Sequence, residues 1–397
     1  MVVLSLYGLV LLFATWASYS LTDPNLILVN SVGFVEWQNW MWQTFFVPPH
    51  RVAWLYGGII TVLWVSFALL FARFGQWKKH FRSWEAWLLA LFVVGILTLS
   101  YNWLSHDVFN YIFNAKMLTV YGLDPHEHTA LEFAYDPWTR FMHNTHTPAP
   151  YGHGWTYLSV IPFYVGFQKF LLTWWIFRIF SMAGVFLTGL AILAWGREEK
   201  MSGVGAKVAL LGLSPFVLVE FVQNSHNDGW MMAGAVCAVW WTRRFSKGKS
   251  ILWVLAGLIV WGASIYIKLA SIALAPLLLV LLASRWQPKL RAWLSLENIA
   301  VASSVLLFLP LFTSQSKWFL PWYLLWSMSW LPLIKNKGWW STLFGFAVAG
   351  SYRYIPWLWT GTYDNGETTA VWITWVGGIF MATVIWLVQA RMYNGRG

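Results

Sequence analysis

The sequence predicts an all-α polytopic membrane protein of about twelve transmembrane helices, with a large external loop that carries interfacial helices. Of the 397 residues, 58% are hydrophobic and only 10% are charged, whereas a soluble domain carries about 25% charged residues. Long apolar runs recur along the chain, and many are long enough to cross a hydrocarbon core of about 30 Å. The 33 Trp fit the aromatic belts found at lipid headgroups.

The apolar runs define the predicted membrane spans. They lie at 3–22, 53–72, 84–104, 172–195, 206–222, 229–242, 251–266, 268–284, 293–313, 319–334, 340–358 and 370–390. Most of the 26 Lys and Arg follow or separate these runs, in basic clusters at 73–82, 197–207, 243–249, 285–291, 335–337 and 391–396. Because Lys and Arg are enriched in cytoplasmic loops, we expect all of these clusters and both chain termini on the inside.

Twelve crossings satisfy this charge pattern only if residues 156–170 do not cross the membrane. That segment would lie in the interface or dip in and return; alternatively, it crosses and a neighbouring helix does not. The net charge of +11 is then explained by topology and not by nucleic-acid binding. The outer side would contain residues 105–154, 224–228 and 359–369, together with Lys268 and Lys317. Segments that are distant in sequence would thus meet at one membrane face.

We interpret the chain as one integral-membrane domain, residues 1–397. No tandem repeat, linker or low-complexity stretch divides it. Residues 1–22 start apolar, without a basic beginning or a small-residue cleavage site, and we interpret them as a retained span. The lone Cys237 excludes a disulfide bond within the chain.

Residues 105–154, which we call the 105–154 loop, form a polar interruption of this apolar chain. The loop contains six of the nine His and five of the fifteen acidic residues. Ionisable groups beside a bilayer are costly and therefore mark functional sites. We expect the chemistry of the protein to be located here.

Asp107 stands just past the predicted span 84–104. With Asn110, Tyr111 and Asn114 it follows the spacing i, i+3, i+4, i+7, which gives one polar face if the stretch is helical. An aspartate held beside apolar surface is partly desolvated, so we expect its pKa to be raised towards that of a useful general base. The alternative is that Asp107 simply caps a short helix.

Irregular backbone is predicted later in the same loop. Gly and Pro at 121–126 indicate a turn, and two prolines and two glycines at 146–154 fix an irregular segment of the kind that lines protein or a wet cavity. Tyr151 could stack on a sugar ring or sit in the interface. The His residues of the loop lack the familiar zinc-ligand spacings, so a metal is not favoured.

Residues 220–228 divide two apolar runs with a concentration of hydrogen-bonding groups. Glu220 and Gln223 precede the four polar residues Ser225 to Asp228, which form either a plain surface turn or a site for a polyol. Two cations, Lys268 and Arg178, also have two possible interpretations. Lys268 and Arg178 lie near predicted outer helix ends, where they either snorkel or bind a lipid phosphate through charge-assisted contacts.

Several short elements occur together and in a characteristic order. They are Asp107 with Tyr111, Gly122 to His126, Thr147 to His153, Glu220 with His226-Asn227-Asp228, Lys268 to Pro276, and Pro321 to Trp326. In this order the chain resembles the GT-C glycosyltransferases. It is most similar to the bacterial polyprenyl-phosphate-mannose-dependent alpha-1,6-mannosyltransferases. Two positions differ from that pattern, because His126 replaces a Tyr and His153 replaces a Pro.

The resemblance covers residues 84–330 and implies a GT-C-like helix bundle. Residues 1–83 would be spans added at the N-terminus, and residues 331–397 would be further C-terminal spans. The resemblance also implies a polyprenyl-phosphate sugar donor, a glycan or glycolipid acceptor, and an active site on the outer face of the plasma membrane. No cofactor and no nucleic-acid partner are expected.

The resemblance further implies roles for individual residues. Asp107 would act as the general base when the acceptor hydroxyl attacks the anomeric carbon with inversion. The donor phosphate would be held by Lys268, Arg178 and His226. The sugar and the acceptor would be bound by Tyr111, Tyr151, Glu220, Asn227 and Asp228.

Two other functions remain open from the sequence. A transporter or flippase of lipid-linked sugars would have a similar composition, although such proteins often show internal repeats, and none is visible here. A GT-C relative that modifies a lipid or protein acceptor is the second alternative. The collection of polar residues at one predicted face favours a glycosyltransferase, with mannose as the expected sugar.

Overall fold

The computed structural model describes residues 2–22, 29–48, 50–77, 95–361 and 367–394. Within these ranges the chain is helical, without β-strands. The helices of nine residues or more are, in chain order, α1 (Val2–Ala17), α2 (Val32–Met41), α3 (Arg51–Trp77), α4 (Asp107–Lys116), α5 (His153–Val165), α6 (Phe170–Glu198), α7 (Val204–Gly212), α8 (Asp228–Ser246), α9 (Leu252–Ile267), α10 (Ala275–Ala283), α11 (Leu296–Phe308), α12 (Lys337–Tyr352) and α13 (Glu367–Asn394).

Three stretches of the described chain are long and apolar enough to cross a membrane as straight helices. They are Arg51–Ala72, Phe170–Glu198 and Glu367–Arg391. A fourth crossing is made if α7 and the helical segment Pro215–Gln223, which meet at an angle of 50°, count as one span. The prediction of an all-α membrane protein is therefore confirmed, whereas the number of about twelve spans stays a prediction.

Two other predicted spans are either described only in part or divided into short helical pieces. Residues 84–94 of the predicted span 84–104 lie outside the described residues. The predicted span 319–334 consists of the short helical pieces Pro321–Leu324, Leu325–Met328 and Leu331–Leu333. Prolines at the start of such pieces remove backbone donors and interrupt a helix. The pieces are buried in the protein, where irregular backbone at membrane depth is tolerated.

Helix α5 has 13 residues, which is too short for a helix to cross the bilayer alone. It occupies most of the segment 156–170, for which crossing was left open. Helix α5 packs on α4 and α6 and so carries the end of the 105–154 loop onto the helix bundle.

Two glycines allow α6 and α8 to pack closely. A Cβ atom at Gly229 would lie 2.3 Å from the backbone nitrogen of Val185, and one at Gly184 would lie 2.5 Å from that of Trp230. The hydroxyl of Thr188 donates to the carbonyl of Gly229 at 2.9 Å. This contact fixes the start of α8, which carries Asp228, against the middle of α6.

The 105–154 loop is folded around Asp136. Its Oδ2 accepts the hydroxyl of Tyr121 at 2.8 Å and pairs with the Nζ of Lys116 at 2.5 Å. Lys116 also lies 4.1 Å from the centre of the Trp138 ring. These contacts connect the end of α4 to the short helical turn Pro137–Phe141. The part of the loop that follows α4 is thereby held against α4.

A second glycine pair brings the end of the loop to α9. The backbone nitrogen of Gly152 donates to the carbonyl of Ile267 at 3.0 Å. A Cβ atom at Gly152 would lie 2.0 Å from the carbonyl oxygen of Tyr266, and one at Gly154 would lie 2.8 Å from that oxygen. Residues with a Cβ atom are therefore excluded at these two positions. The contact places Tyr151 and Lys268 on neighbouring backbone segments.

The glycine contact between α6 and α8 can be tested with Gly229→Ala. The added methyl group has no room, and overpacking of this kind typically costs about 1–3 kcal/mol. We expect a lower thermal unfolding temperature for the purified variant in detergent. Gly262→Ala in α9 is the matched control, because no atom lies within 4 Å of the Cβ position. An unfolding temperature lowered equally by both substitutions would contradict the close approach.

Candidate active site

Asp107 is the first residue of α4, and its side chain does not cap that helix. The N-cap position is occupied by His106, which makes no side-chain cap hydrogen bond. The Oδ2 atom of Asp107 instead lies 3.3 Å from Nδ1 of His226. The side chain of Asp107 is 16% exposed, whereas its neighbours in the first turns of α4 are buried. The capping alternative is thus replaced by a tertiary contact with His226.

His226 lies between two carboxylates. Its Nδ1 faces Asp107, and its Nε2 lies 3.6 Å from Oε2 of Glu220. The imidazole is fully buried and stacks on Trp322 with ring centres 4.1 Å apart. Packing therefore fixes the orientation of the His226 ring, with one nitrogen towards Asp107 and the other towards Glu220.

Glu220 lies on a wide helical turn, Leu218–Gln223, just before the polar residues 224–228. Such widened turns are frequently found at functional sites. Both carboxylate oxygens accept the hydroxyl of Tyr354 at 3.0 Å, and Oε2 also accepts Nδ2 of Asn224 at 3.3 Å. Glu220 is thus held by the C-terminal part of the chain and by its own turn.

The environment of Asp107 lowers its pKa, contrary to the sequence-based expectation. Burial opposes ionisation, but the adjacent His226, with further contributions from Lys268 and Tyr151, outweighs burial and holds the pKa below its usual value. Conversely, burial opposes the charged form of His226, but contacts with Asp107 and Glu220 raise its pKa. The arrangement therefore favours an imidazolium between two carboxylates.

Lys268 and Asp228 form a second buried ion pair. The Nζ of Lys268 lies 2.7 Å from Oδ1 of Asp228, which also accepts Nε1 of Trp326 at 2.6 Å. Lys268 lies in extended backbone between α9 and the next helical turn, and its Nζ is 4.4 Å from the centre of the Tyr323 ring. The side chain is 13% exposed, so one face of the ammonium group remains available.

Aromatic side chains line the side of the site next to α4. The ring of Tyr111 lies 4.9 Å from that of Tyr151 and 5.1 Å from that of Trp155, edge to face in both cases. Tyr151 also interacts with the carboxylate of Asp107. The two tyrosines thus stand beside the candidate base, as a surface on which a sugar ring can pack.

Several fully buried polar atoms near the base have no protein hydrogen-bond partner among the described residues. They are Oδ1 and Nδ2 of Asn227, Oδ2 of Asp228 and Oδ1 of Asn110. Buried polar atoms are nearly always paired, and each exception calls for an explanation. A hydroxyl-rich ligand bound between α4 and the start of α8 would supply these partners.

Arg178 has a different position from the other predicted site residues. Its guanidinium donates to the carbonyls of Leu97 and Thr98 at 3.0 Å each, and also to the carbonyl of Ser100. Further contacts reach the carbonyls of Val222 and Gln223. Arg178 therefore joins the segment before α4 to the turn before α8, and we remove it from the proposed phosphate site.

The structure brings together Asp107, Tyr111, Tyr151, Glu220, His226, Asn227, Asp228 and Lys268. Sequence reasoning did not assign Trp322, Trp326 or Tyr354 to the site. The Pro321 to Trp326 element was a usable signal for the two tryptophans, whereas nothing near Tyr354 indicated its contact with Glu220.

A carboxylate beside unpaired polar groups and a buried cation in a helical membrane protein are features of a functional site for polar molecules. Residues 6–284 match the sequence profile of the family described as alpha-(1->6)-mannopyranosyltransferase, N-terminal domain. The chain belongs to this family, as the resemblance predicted. The match also includes most of residues 1–83. No curated protein and no solved structure matches the chain.

The role of Arg178 as a connector predicts a loss of stability in Arg178→Gln. Several buried carbonyls would lose their donors, and each unsatisfied group costs about 1–3 kcal/mol. We expect a marked fall in the yield of monodisperse protein and in the unfolding temperature. Arg140→Gln, at an exposed position of the 105–154 loop, is the control. Normal stability of Arg178→Gln with weakened donor use would instead restore Arg178 to the phosphate site.

Proposed function

We propose that the chain transfers a mannosyl group from a polyprenyl-phosphate donor to a hydroxyl of a glycan or glycolipid acceptor, with inversion at the anomeric carbon. The family match supports mannosyl transfer. The observation that supports the mechanism best is the carboxylate of Asp107, which pairs with His226 and interacts with Lys268 of the Lys268–Asp228 pair.

Asp107 is the proposed general base. The acceptor oxygen forms a bond to the anomeric carbon as its proton moves to the Asp107 carboxylate, and the bond from that carbon to the phosphate oxygen breaks. The leaving polyprenyl phosphate keeps the electron pair and needs no general acid. A single displacement of this kind inverts the anomeric centre, so an alpha product requires a beta-linked donor.

The other carboxylates of the site are less suited to act as base or nucleophile. Glu220 accepts hydrogen bonds from Tyr354 and Asn224, and Asp228 accepts from Lys268 and Trp326. Both carboxylates are thus already engaged by protein donors. Asp107 is the partly exposed member of the three, which is consistent with one reacting carboxylate rather than the pair used by retaining glycosidases.

His226 and Glu220 position this base. The His226 imidazolium orients the Asp107 carboxylate through their ion pair. Glu220, together with Tyr354, holds the imidazole in place. The same positive charge, together with that of Lys268, would stabilise the phosphate as its negative charge develops. Fixed dipoles and charges in a site closed to water are the most effective stabilisers of such charge.

The sugar and acceptor are assigned to the remaining groups. Asn227 and the free oxygen of Asp228 offer unpaired donors and acceptors to hydroxyls, and Glu220 lies beside His226. Tyr111 and Tyr151 provide ring faces and edges beside Asp107. This division leaves the donor phosphate near Lys268 and the attacked carbon between Lys268 and Asp107.

The proposed location is the plasma membrane with the site facing outward. The basic clusters on the opposite side of the apolar runs support this orientation through the positive-inside rule. Nucleotide sugars are cytoplasmic, so an outward site fits a donor that reaches it through the bilayer. Membrane lipid is accordingly a constant partner of the protein.

The role of the base predicts that Asp107→Asn loses transfer activity while it still folds. Loss of a general base typically lowers the rate by about 10²–10⁴-fold. The measurement is transfer of radiolabelled mannose from polyprenyl-phosphate-mannose by the purified chain. Glu127→Gln, an exposed carboxylate of the same loop, should be as active as the wild type. An Asp107→Asn variant within a few-fold of wild type would remove Asp107 from this role.

The pKa directions predict the pH profile of kcat/KM. Asp107 has a depressed pKa, so it stays ionised as pH falls and causes no acid limb near neutrality. His226 has a raised pKa, so its charge persists above its usual range and is lost only as pH rises further. We expect activity to fall on the alkaline side in the wild type, and this limb to be absent in His226→Gln. The same alkaline limb in both proteins would contradict the role of His226.

The orientation predicts the accessibility of single cysteines in a Cys237→Ala background. Asn144→Cys in the 105–154 loop should react with an impermeant thiol reagent added to intact cells. Lys249→Cys in a basic cluster should react only after permeabilisation. Both positions are exposed, so burial does not confound the comparison. The reverse pattern would place the donor site in the cytoplasm.

A further inference from the structure

Three potential metal ligands meet where the turn at 122–126 touches the first turn of α5. Asp124, His126 and His153 each offer one ligand atom, and these atoms all lie within 4.8 Å of one another. Nε2 of His153 is 3.7 Å from Oδ2 of Asp124. The imidazole rings of His126 and His153 have centres 3.8 Å apart. None of the three side chains was assigned to the transferase reaction above.

We propose that Asp124, His126 and His153 bind a divalent transition-metal ion of the zinc type. Two imidazoles and one carboxylate form a common ligand set for Zn²⁺, with a fourth position left for water. Mg²⁺ and Ca²⁺ prefer oxygen ligands alone. The ligands of a tetrahedral Zn²⁺ ion lie about 3.3 Å apart. The two imidazole rings stack with an interplanar angle of 17°, so they must rotate for their nitrogens to point at one ion.

The surroundings orient two of these ligands before any metal binds. Oδ1 of Asp124 accepts the backbone nitrogen of His126 at 2.9 Å, which leaves Oδ2 for a metal. The ring of His126 contacts the carbonyl of Ala149 and, through Nε2, the hydroxyl of Thr156 at 2.9 Å. A carbonyl that accepts the proton of one imidazole nitrogen fixes the tautomer. The lone pair on Nε2 then accepts the Thr156 hydroxyl, which a metal ion would displace.

Two of the three ligands are accessible from solution. The side chains of His153 and Asp124 are 45% and 39% exposed. A metal ion can therefore enter from the aqueous side without opening the fold.

The site would act as a clip on the 105–154 loop. It joins the turn after α4 to the first turn of α5, two residues from Tyr151. That part of the loop already packs on Tyr266 and Ile267 through Gly152 and Gly154. Bound metal would thus hold together the backbone that presents Tyr151 to Asp107, without touching the reacting groups.

The test is Zn²⁺ titration of the metal-stripped, full-length chain in detergent, with bound zinc per chain and the unfolding temperature as readouts. Two variants probe the site. Asp124→Asn keeps an acceptor for the turn but loses the anionic ligand, and His153→Ala loses an imidazole. His146→Ala, an exposed histidine of the same loop, is the control. These readouts do not depend on transferase activity.

We expect the wild type and His146→Ala to bind one Zn²⁺ per chain and to unfold at higher temperature with zinc. Loss of an outer-shell partner alone typically weakens metal binding by about 10–100-fold, so loss of a ligand in either site variant should weaken it by at least that much. Equal zinc affinity in wild type and both site variants would overturn the proposal. So would an absence of zinc-dependent stabilisation in the wild type, which would leave His153 and Asp124 as a simple ion pair.

Discussion

The need to pair buried charges organises the centre of this protein. An unpaired charge in a low-dielectric interior costs many kcal/mol, and a chain with only 10% charged residues nevertheless concentrates several of them at one point. His226 is placed between Asp107 and Glu220, and Lys268 is placed against Asp228. The Asp107–His226 and Asp228–Lys268 pairs join segments that are far apart in sequence, so the site depends on the assembly of the bundle.

The surrounding fold makes these pairings geometrically feasible. Gly184 and Gly229 bring α8 close enough to α6 to seat Asp228, and Gly152 brings the 105–154 loop to the end of α9 beside Lys268. Arg178 closes the remaining gap by satisfying carbonyls from two irregular segments. Irregular backbone inside a membrane protein must be buried or line a cavity, and here it is buried around the proposed substrate-binding groups.

The location of the site could be predicted from the sequence, because its polar residues interrupt apolar runs. Asp107, His226 and Lys268 stand at such interruptions, and their pattern also carried the family resemblance that the profile match confirmed. The role of each individual cation could not be predicted from the sequence. Lys268 and Arg178 look alike as charges near helix ends, and only tertiary contacts show that Arg178 holds backbone carbonyls.

Other errors have the same origin. The predicted rise in the pKa of Asp107 considered burial alone and omitted His226, which approaches from a distant segment. Hydropathy predicted the span 319–334 but not its division at Pro321 and Pro332 into short buried pieces. Sequence patterns thus indicated which residues matter, while the sign of their interactions depended on packing.

The central claim is that this site transfers mannose from a lipid phosphate with Asp107 as base. The most direct measurement compares two radiolabelled donors, polyprenyl-phosphate-mannose and a nucleotide-linked mannose, with the purified chain and a glycan acceptor, and determines the anomeric configuration of the product. The account predicts transfer from the lipid-linked donor alone, with inversion from beta to alpha. Efficient transfer from the nucleotide sugar, or retention of configuration, would contradict it.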